Sequence, residues 1–346
     1  DDFIINNLSQ IYIPITRGEL WDEDEEKKNR RLAIYAVLDK VLKTLDILIH
    51  PFCPFTSEHL YQTVFEGEQS ILLDKWPQSQ ESLIDEKIEE SFDIMKDVVS
   101  ISSAARMKGK LKRRWPLNEA QICVSKDQKV KLESLSKLLQ SQLNVEKFNI
   151  IETENNSGLE QIVELKQLGL PVKPVIELER KKIGPKAKQH MGKLVSTFNE
   201  TDPEEISLAL QKDGKHNFDI DGEIISLDNE DFIVDFDASE NFAMAKRDEY
   251  IVFISTARNK EMMAKGLVKD IARRLQTLRK ERGYNPTDVL ETASILDLDS
   301  ESLEMMKDKT KDLAFLVRVK QVNFEETCKE YKSDDIDGQK IRVSVE

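Results

Sequence analysis

The period of the apolar pattern changes at Pro116, and that change divides what this chain can fold into. Before it, apolar residues recur at steps of three to five, the repeat of one helix face. Leu32, Val37, Val41, Leu45 and Leu48 form one such run, widened by Ala33, Leu38 and Leu42; Ile84, Ile88, Phe92, Met95, Val99 and Ala105 form another. Pro51 and Pro54 stop the first run, because proline cannot donate to the helix ladder. A short helix is predicted from Thr56 to Phe65 with Thr56 or Ser57 as its N-cap, and a longer one from Ser82 to Gly109 after a connector over residues 67–77. With an opening helix, this predicts an all-α bundle of roughly four or five helices over residues 1–116.

After Pro116 strand and helix patterns mix. Ala120–Val124, a helix over Lys129–Gln142 and Val145–Ile151 predict a strand–helix–strand unit over residues 117–170, with a turn at Asn155–Gly158. A C-terminal α+β domain is expected over residues 171–346. Its predicted parts are a strand at Val172–Glu179, a helix over Gly184–Phe198, a helix start at Asp202-Pro203, and two short strands around the Asp221-Gly222 turn. Further strands follow at Phe232–Phe236 and Tyr250–Ser255, then the longest helix from Lys260 to Arg282, striped by Met263, Leu267, Ile271, Leu275 and Leu278 and stopped by Gly283. Ala293–Leu298, Ser300–Leu316 and Val319–Phe324 read as strand, helix and strand. The fold class is therefore multidomain, an N-terminal all-α helical bundle followed by smaller mixed α+β domains. No internal repeat or low-complexity tract stands out.

The 346 residues carry a net charge of −14, which argues against a uniformly basic nucleic-acid binder but leaves local basic faces open. Cys53, Cys123 and Cys328 lie far apart and are odd in number, so neither a disulfide framework nor a metal site is expected, and a reduced, cytoplasmic setting fits. No apolar run reaches membrane-spanning length. A first residue other than Met, inside a helical pattern, suggests a piece of a longer protein.

The basic residues are clustered. Arg106, Lys108, Lys110, Lys112, Arg113 and Arg114 place six cations in nine residues, beside Trp115. Such a run can provide salt-sensitive affinity for phosphates, and an indole can stack on an unpaired base. It can equally be a solvated helix end favoured by the helix dipole. Arg17 and Trp21 share a helical face; Arg17 could contact RNA, while Trp21 could stack or simply pack in a core. Arg30 and Arg31 open a helix against its dipole, which hints at an external anion. Lys186 belongs to a basic run, Arg180 to Lys188, that suits phosphate or is an ordinary charged loop. Arg273 and Arg274 decorate the long helix as candidate RNA contacts, although most of its cations are expected on a solvated face. Residues 200–240 hold 14 Asp or Glu against two Lys and should face away from RNA. No catalytic grouping or metal-ligand spacing appears.

Several stretches carry a family resemblance. Tyr12-Ile13-Pro14-Ile15-Thr16-Arg17-Gly18-Glu19-Leu20-Trp21, Arg30-Arg31-Leu32-Ala33 and Pro51-Phe52-Cys53-Pro54-Phe55-Thr56-Ser57-Glu58 resemble the anticodon-binding helical bundle of the class I tRNA synthetases for isoleucine, valine and leucine. Leu111-Lys112-Arg113-Arg114-Trp115-Pro116-Leu117, Ile183-Gly184-Pro185-Lys186 and Gly266 through Lys280 resemble the C-terminal appendix of isoleucyl-tRNA synthetases of the archaeal and eukaryotic type. The resemblance implies a tRNA-reading part of an enzyme that joins isoleucine to its tRNA using ATP. Its implied partners are tRNA and the remainder of the synthetase chain, with no membrane; no cofactor is implied for these residues. Both class I catalytic signatures are missing, so the stretch itself is expected to be non-catalytic. The corresponding region of a valyl or leucyl enzyme, or a protein-interaction scaffold with an acidic surface, remains open as an alternative.

Overall fold

The computed structural model describes residues 2–20, 24–65, 70–154, 156–326, 328–336 and 338–346. The chain divides into two compact units, Asp1–Glu86 and Lys87–Glu346.

The first unit is helical. A π-helical stretch, Phe3–Tyr12, runs into α1 (Ile13–Leu20), followed by α2 (Lys28–Ile49) and α3 (Pro54–Val64), with short 3-10 turns before α2 and after α3. α3 starts at Pro54, two residues ahead of the expected cap, because the first helical position needs no N–H donor and proline presets its φ. Polar contacts tie the helices together. Arg30 pairs with Glu19 at 2.8 Å and Tyr35 Oη donates to the Leu20 carbonyl at 2.7 Å. Lys43 and Tyr61 Oη both reach Asp74, at 3.0 and 2.8 Å, and hold its carboxyl below the usual range. The expected apolar stripe of α2 is mostly outside: Leu32, Val37, Leu42 and Leu48 are exposed, whereas Ile34 is buried.

The second unit begins with α4 (Glu86–Lys108) and continues β1 (Leu117–Val124), α5 (Lys126–Ser134), α6 (Ser136–Leu143), β2 (Val145–Glu152), α7 (Gly158–Gln167), β3 (Val172–Leu178), α8 (Arg180–Ala187), α9 (Met191–Glu200), α10 (Pro203–Asp213), β4 (Lys215–Ile220), β5 (Glu223–Asp228), β6 (Phe232–Ala238), β7 (Phe242–Arg247) and β8 (Tyr250–Ser255). It ends with α11 (Lys260–Glu281), β9 (Leu290–Leu296), α12 (Ser300–Lys307), α13 (Thr310–Val317), β10 (Val319–Asn323), β11 (Lys332–Ile336) and β12 (Gln339–Val345). The two compact units meet in the sequence ahead of the boundary expected at Pro116: Met95, Val98, Ile101 and Ala105 of α4 share one core with Ala120, Ile122 and Val124 of β1 and Val252 and Ile254 of β8. The segment 117–170 is not closed on itself: β1 sits between β2 and β8, which comes more than a hundred residues later.

Although no repeat stands out in the sequence, the second unit contains one architecture twice. Four-stranded sheets run in the orders β2-β1-β8-β7 and β10-β9-β12-β11. In each, a long helix leads into a central strand, two short helices cross to a parallel partner, and an antiparallel hairpin completes the sheet. Leu117 pairs with Val145 as Leu290 pairs with Val319, and Ala120 faces Ile254 as Ala293 faces Val345. The two crossing helices are separate in both copies, at Leu135 and at Asp308-Lys309, where single helices were expected. The copies differ in what lies between β2 and the hairpin. The first holds an insertion running from α7 to β6, with β3 paired to β6 and β4 to β5 through the expected Asp221-Gly222 turn, where both φ angles are positive. The helix expected over Gly184–Phe198 is two, α8 and α9, broken where Lys188 adopts φ 42°.

Candidate nucleic-acid interface

The basic run after α4 is positioned by one of its own members. Arg106 is buried, and its guanidinium donates to four carbonyls: Lys112 at 3.2 Å, Trp115 at 2.9 Å, Leu143 at 2.7 Å and Asn144 at 3.1 Å. These carbonyls belong to the loop leading to β1 and to the C-terminus of α6, whose orphan acceptors need a donor. Burial, helped by the charge of Arg113, lowers the Arg106 pKa to about 10, so it stays cationic at neutral pH. Arg106 is therefore an internal clamp, not the RNA contact expected for it. Arg279 repeats the device at the end of α11, donating to Asn285, Asp288, Val317 and Arg318 carbonyls. The loop carbonyls lie six and nine residues after each arginine.

Trp115 is also internal, which corrects its expected stacking role. Its indole rests on α11 at Gly266, where an added Cβ would come within 2.4 Å of the ring. Its Nε1 donates to Asp270 Oδ2 at 2.9 Å. Lys112 and Arg114 reach the same carboxylate at 3.0 and 3.3 Å, while Lys112 and Arg258 lie 5.2 and 5.0 Å from the ring centre. Burial of Asp270 alone would raise its pKa; the Trp115 and Lys112 hydrogen bonds and the charges of Lys112 and Arg274 outweigh it and hold the carboxyl below its ordinary value. The Lys112–Pro116 stretch and the Gly266–Asp270 stretch are thus two halves of one clasp.

The outward cations of this region are the rest of the run. Lys108, Lys110 and Arg113 are exposed, as are Arg258 beside Trp115 and Arg273 on α11. Lys112 and Arg114 are exposed too, although bound to Asp270. Arg274 turns to protein: it donates to the Asp270 and Asp335 carbonyls and lies 3.5 Å from Asp334. Lys186 is paired with Asp228 and the buried Asp231, which raise its pKa, so the acidic stretch neutralises part of the basic run that was expected to meet phosphate. In the first unit Arg17 is exposed, Arg30 is exposed but bound to Glu19, and Arg31 is partly buried. Trp21 lies outside the described residues.

Two clefts flank α11. The larger, about 570 Å³, is bordered by Asn144, Lys265, Lys269 and Asp312. Its two α11 lysines already have acceptors: Lys265 meets Glu146 and Glu261, and Lys269 donates to Asn144 Oδ1 at 3.1 Å. The smaller, about 210 Å³, opens beside Trp115 between α11, α12 and the β11–β12 hairpin. Arg258 and the cleft residues Asp299, Met305 and Gln339 were missed in the sequence, although Trp115 beside them was not. They lie on distant parts of the chain, with no local motif to join them. Among the described residues no group of three or more His, Cys, Asp or Glu could hold a metal, and no helix is long and apolar enough to cross a membrane.

Comparison with known proteins gives these features a family setting. Residues 1–122 match the model for the anticodon-binding domain of tRNA ligase, so the chain carries that class of domain. Over most of its length it is also homologous to isoleucine–tRNA ligases. It is 29% identical to that of Pyrococcus abyssi over 89% of this chain and 27% of the relative. It is 31% identical to that of Methanothermobacter marburgensis over 76% and 24%, and 26% identical to that of Methanothrix thermoacetophila over 99% and 32%. The chain spans about a quarter to a third of the length of these relatives.

Proposed function

We propose that this chain is the tRNA-gripping part of a cytoplasmic isoleucine–tRNA ligase, whose whole polypeptide attaches isoleucine to its tRNA at the expense of ATP. The helices of the first unit form the anticodon-binding bundle, with Arg17 and Arg31 toward the RNA. The second unit adds the basic ridge of Lys108, Lys110, Arg113, Arg258 and Arg273. Catalysis belongs to residues of the parent enzyme outside this stretch. The observation that carries this reading is the division of labour in the basic run. In a chain of net charge −14, Arg106 clamps the loop from inside and Asp270 holds its end, so that Lys108, Lys110 and Arg113 are presented together to solvent. Such a placement suits a phosphate backbone, which positions an RNA without reading it.

The test is tRNA affinity measured across salt for the protein and for its Lys108→Ala/Lys110→Ala/Arg113→Ala variant. Each lost phosphate contact flattens the log–log salt slope by about 0.7–0.9, so the variant should lose about 2 units. An unchanged slope would return the run to a solvated helix end, and absence of tRNA binding would favour a protein scaffold.

A further inference from the structure

One place in the repeated architecture is filled in the first copy and open in the second. In the first copy Glu90 of α4 and Lys131 of α5 close it with an ion pair at 2.9 Å, and Gln128 reaches Tyr250 Oη at 3.1 Å. Glu90 precedes Arg106 by as many residues as Met263 precedes Arg279, and Lys131 precedes the left-handed Asn144 by as many as Met305 precedes the left-handed Arg318. Two methionines therefore stand where the first copy has a salt bridge. The second hairpin is also longer. Its Asp334–Ile341 pair corresponds to the last pair of the first hairpin, Arg247–Tyr250, and two further pairs extend it to Ile336–Gln339. That last pair walls the cleft of about 210 Å³ beside Trp115.

We propose that this cleft takes one unstacked nucleobase of the bound RNA, a guanine by the chemistry of its rim; the proposal rests on the reading of the chain as tRNA-binding. The slot is smaller than the usual small-molecule pocket of roughly 300–1,000 Å³, so it suits a single ring system. Its walls are thioethers and an indole edge, groups that favour an aromatic face. Two polar groups at its rim, Asp299 and Gln339, offer acceptors, beside the Ser302 hydroxyl, which can donate or accept. Asp299 accepts the Ser302 N–H at 2.7 Å through one oxygen, which leaves its second oxygen for another donor. Gln339 donates its amide N–H to the Asp297 carbonyl at 3.2 Å, which leaves its amide oxygen. A guanine edge presents adjacent N–H donors to such a pair. The carboxylate is not needed to cap the helix, since Ser125 caps α5 at the corresponding position. Lys112, Arg114 and Arg258 stand around Trp115, where the sugar–phosphate of an inserted nucleotide would need countercharge.

The experiment measures affinity of the full-length protein for tRNA carrying a single abasic site at each unpaired position in turn. At one position the lesion should weaken binding by wild type about tenfold or more and leave Met305→Trp unaffected, since the indole already fills the slot. At that position Asp299→Ser, which keeps the cap, should lose the preference for guanine over inosine, a base without the 2-amino group. Both variants should keep the wild-type salt slope, because phosphate contacts are untouched. If the lesions weaken both variants as they weaken wild type at every unpaired position, the cleft is not a base site although the RNA reading stands. If wild type binds no tRNA, that reading falls and this inference with it.

Discussion

The two copies of the repeated architecture share a frame and differ in their polar fittings. Both close a long helix with a buried arginine that collects four carbonyls, and both end the crossing helices in a left-handed residue, Asn144 or Arg318. Corresponding acids behave differently. Asp97 on α4 meets Arg247 with both side chains about half exposed, whereas Asp270 on α11 is buried and serves Trp115, Lys112 and Arg114. The comparison teaches that backbone satisfaction is what the frame demands. Charge placement and cavities are what each copy is free to change.

The largest effect that can break this comparison is loss of a clamp. Arg106→Leu and Arg279→Leu each leave buried carbonyls without a donor, at about 1–3 kcal/mol per acceptor, so each should lower unfolding stability by at least about 3 kcal/mol in denaturant titration. A mild effect at one site only would mean the arginines are not equivalent. Next is the pair of acids. Asp270→Asn should cost about 2–3 kcal/mol, because hydrogen bonds to charged groups are lost, while Asp97→Asn should cost less than about 1 kcal/mol. The pH dependence sharpens this. The folded-state pKa of Asp270 is depressed, so its contribution is fully present above the unfolded value near pH 3.9 and is lost as pH falls through the lower folded value. The stability gap between wild type and Asp270→Asn should therefore be constant above about pH 5 and shrink below about pH 4. Comparable to Asp270→Asn is Gly266→Ala, whose new methyl meets the Trp115 ring and should cost about 1–3 kcal/mol through overpacking, with tRNA binding weakened as the basic loop shifts.

Much of the second unit was legible in the sequence because strands and helices there carry their own periodicity. β1, β2, the β4–β5 hairpin and α11 fall where the patterns put them. α7, β7 and the β11–β12 hairpin were not seen; Lys332-Ser333-Asp334-Asp335-Ile336 is too polar to read as a strand and is held by its partner β12. The duplication was hidden because what is shared is register and carbonyl capture, features of the backbone with few side-chain requirements. The candidate interface was legible as a basic run but not in its division into inward and outward members. Nothing local separates Arg106 from Lys108. The distinction comes from Leu143 and Asn144, far along the chain, whose carbonyls need a donor. Likewise Trp115 was read as a stacking residue because Asp270 and Gly266, its partners, lie more than 150 residues away.

The most direct test of the account is a hydrogen-exchange footprint of the protein with and without bound tRNA, comparing corresponding segments of the two copies. The account predicts new protection over residues 299–305 and 338–340 in the second copy, together with the loop 108–114, and little change over residues 125–131 and 247–250 in the first. Equal protection of both copies, or protection of the first alone, would contradict it.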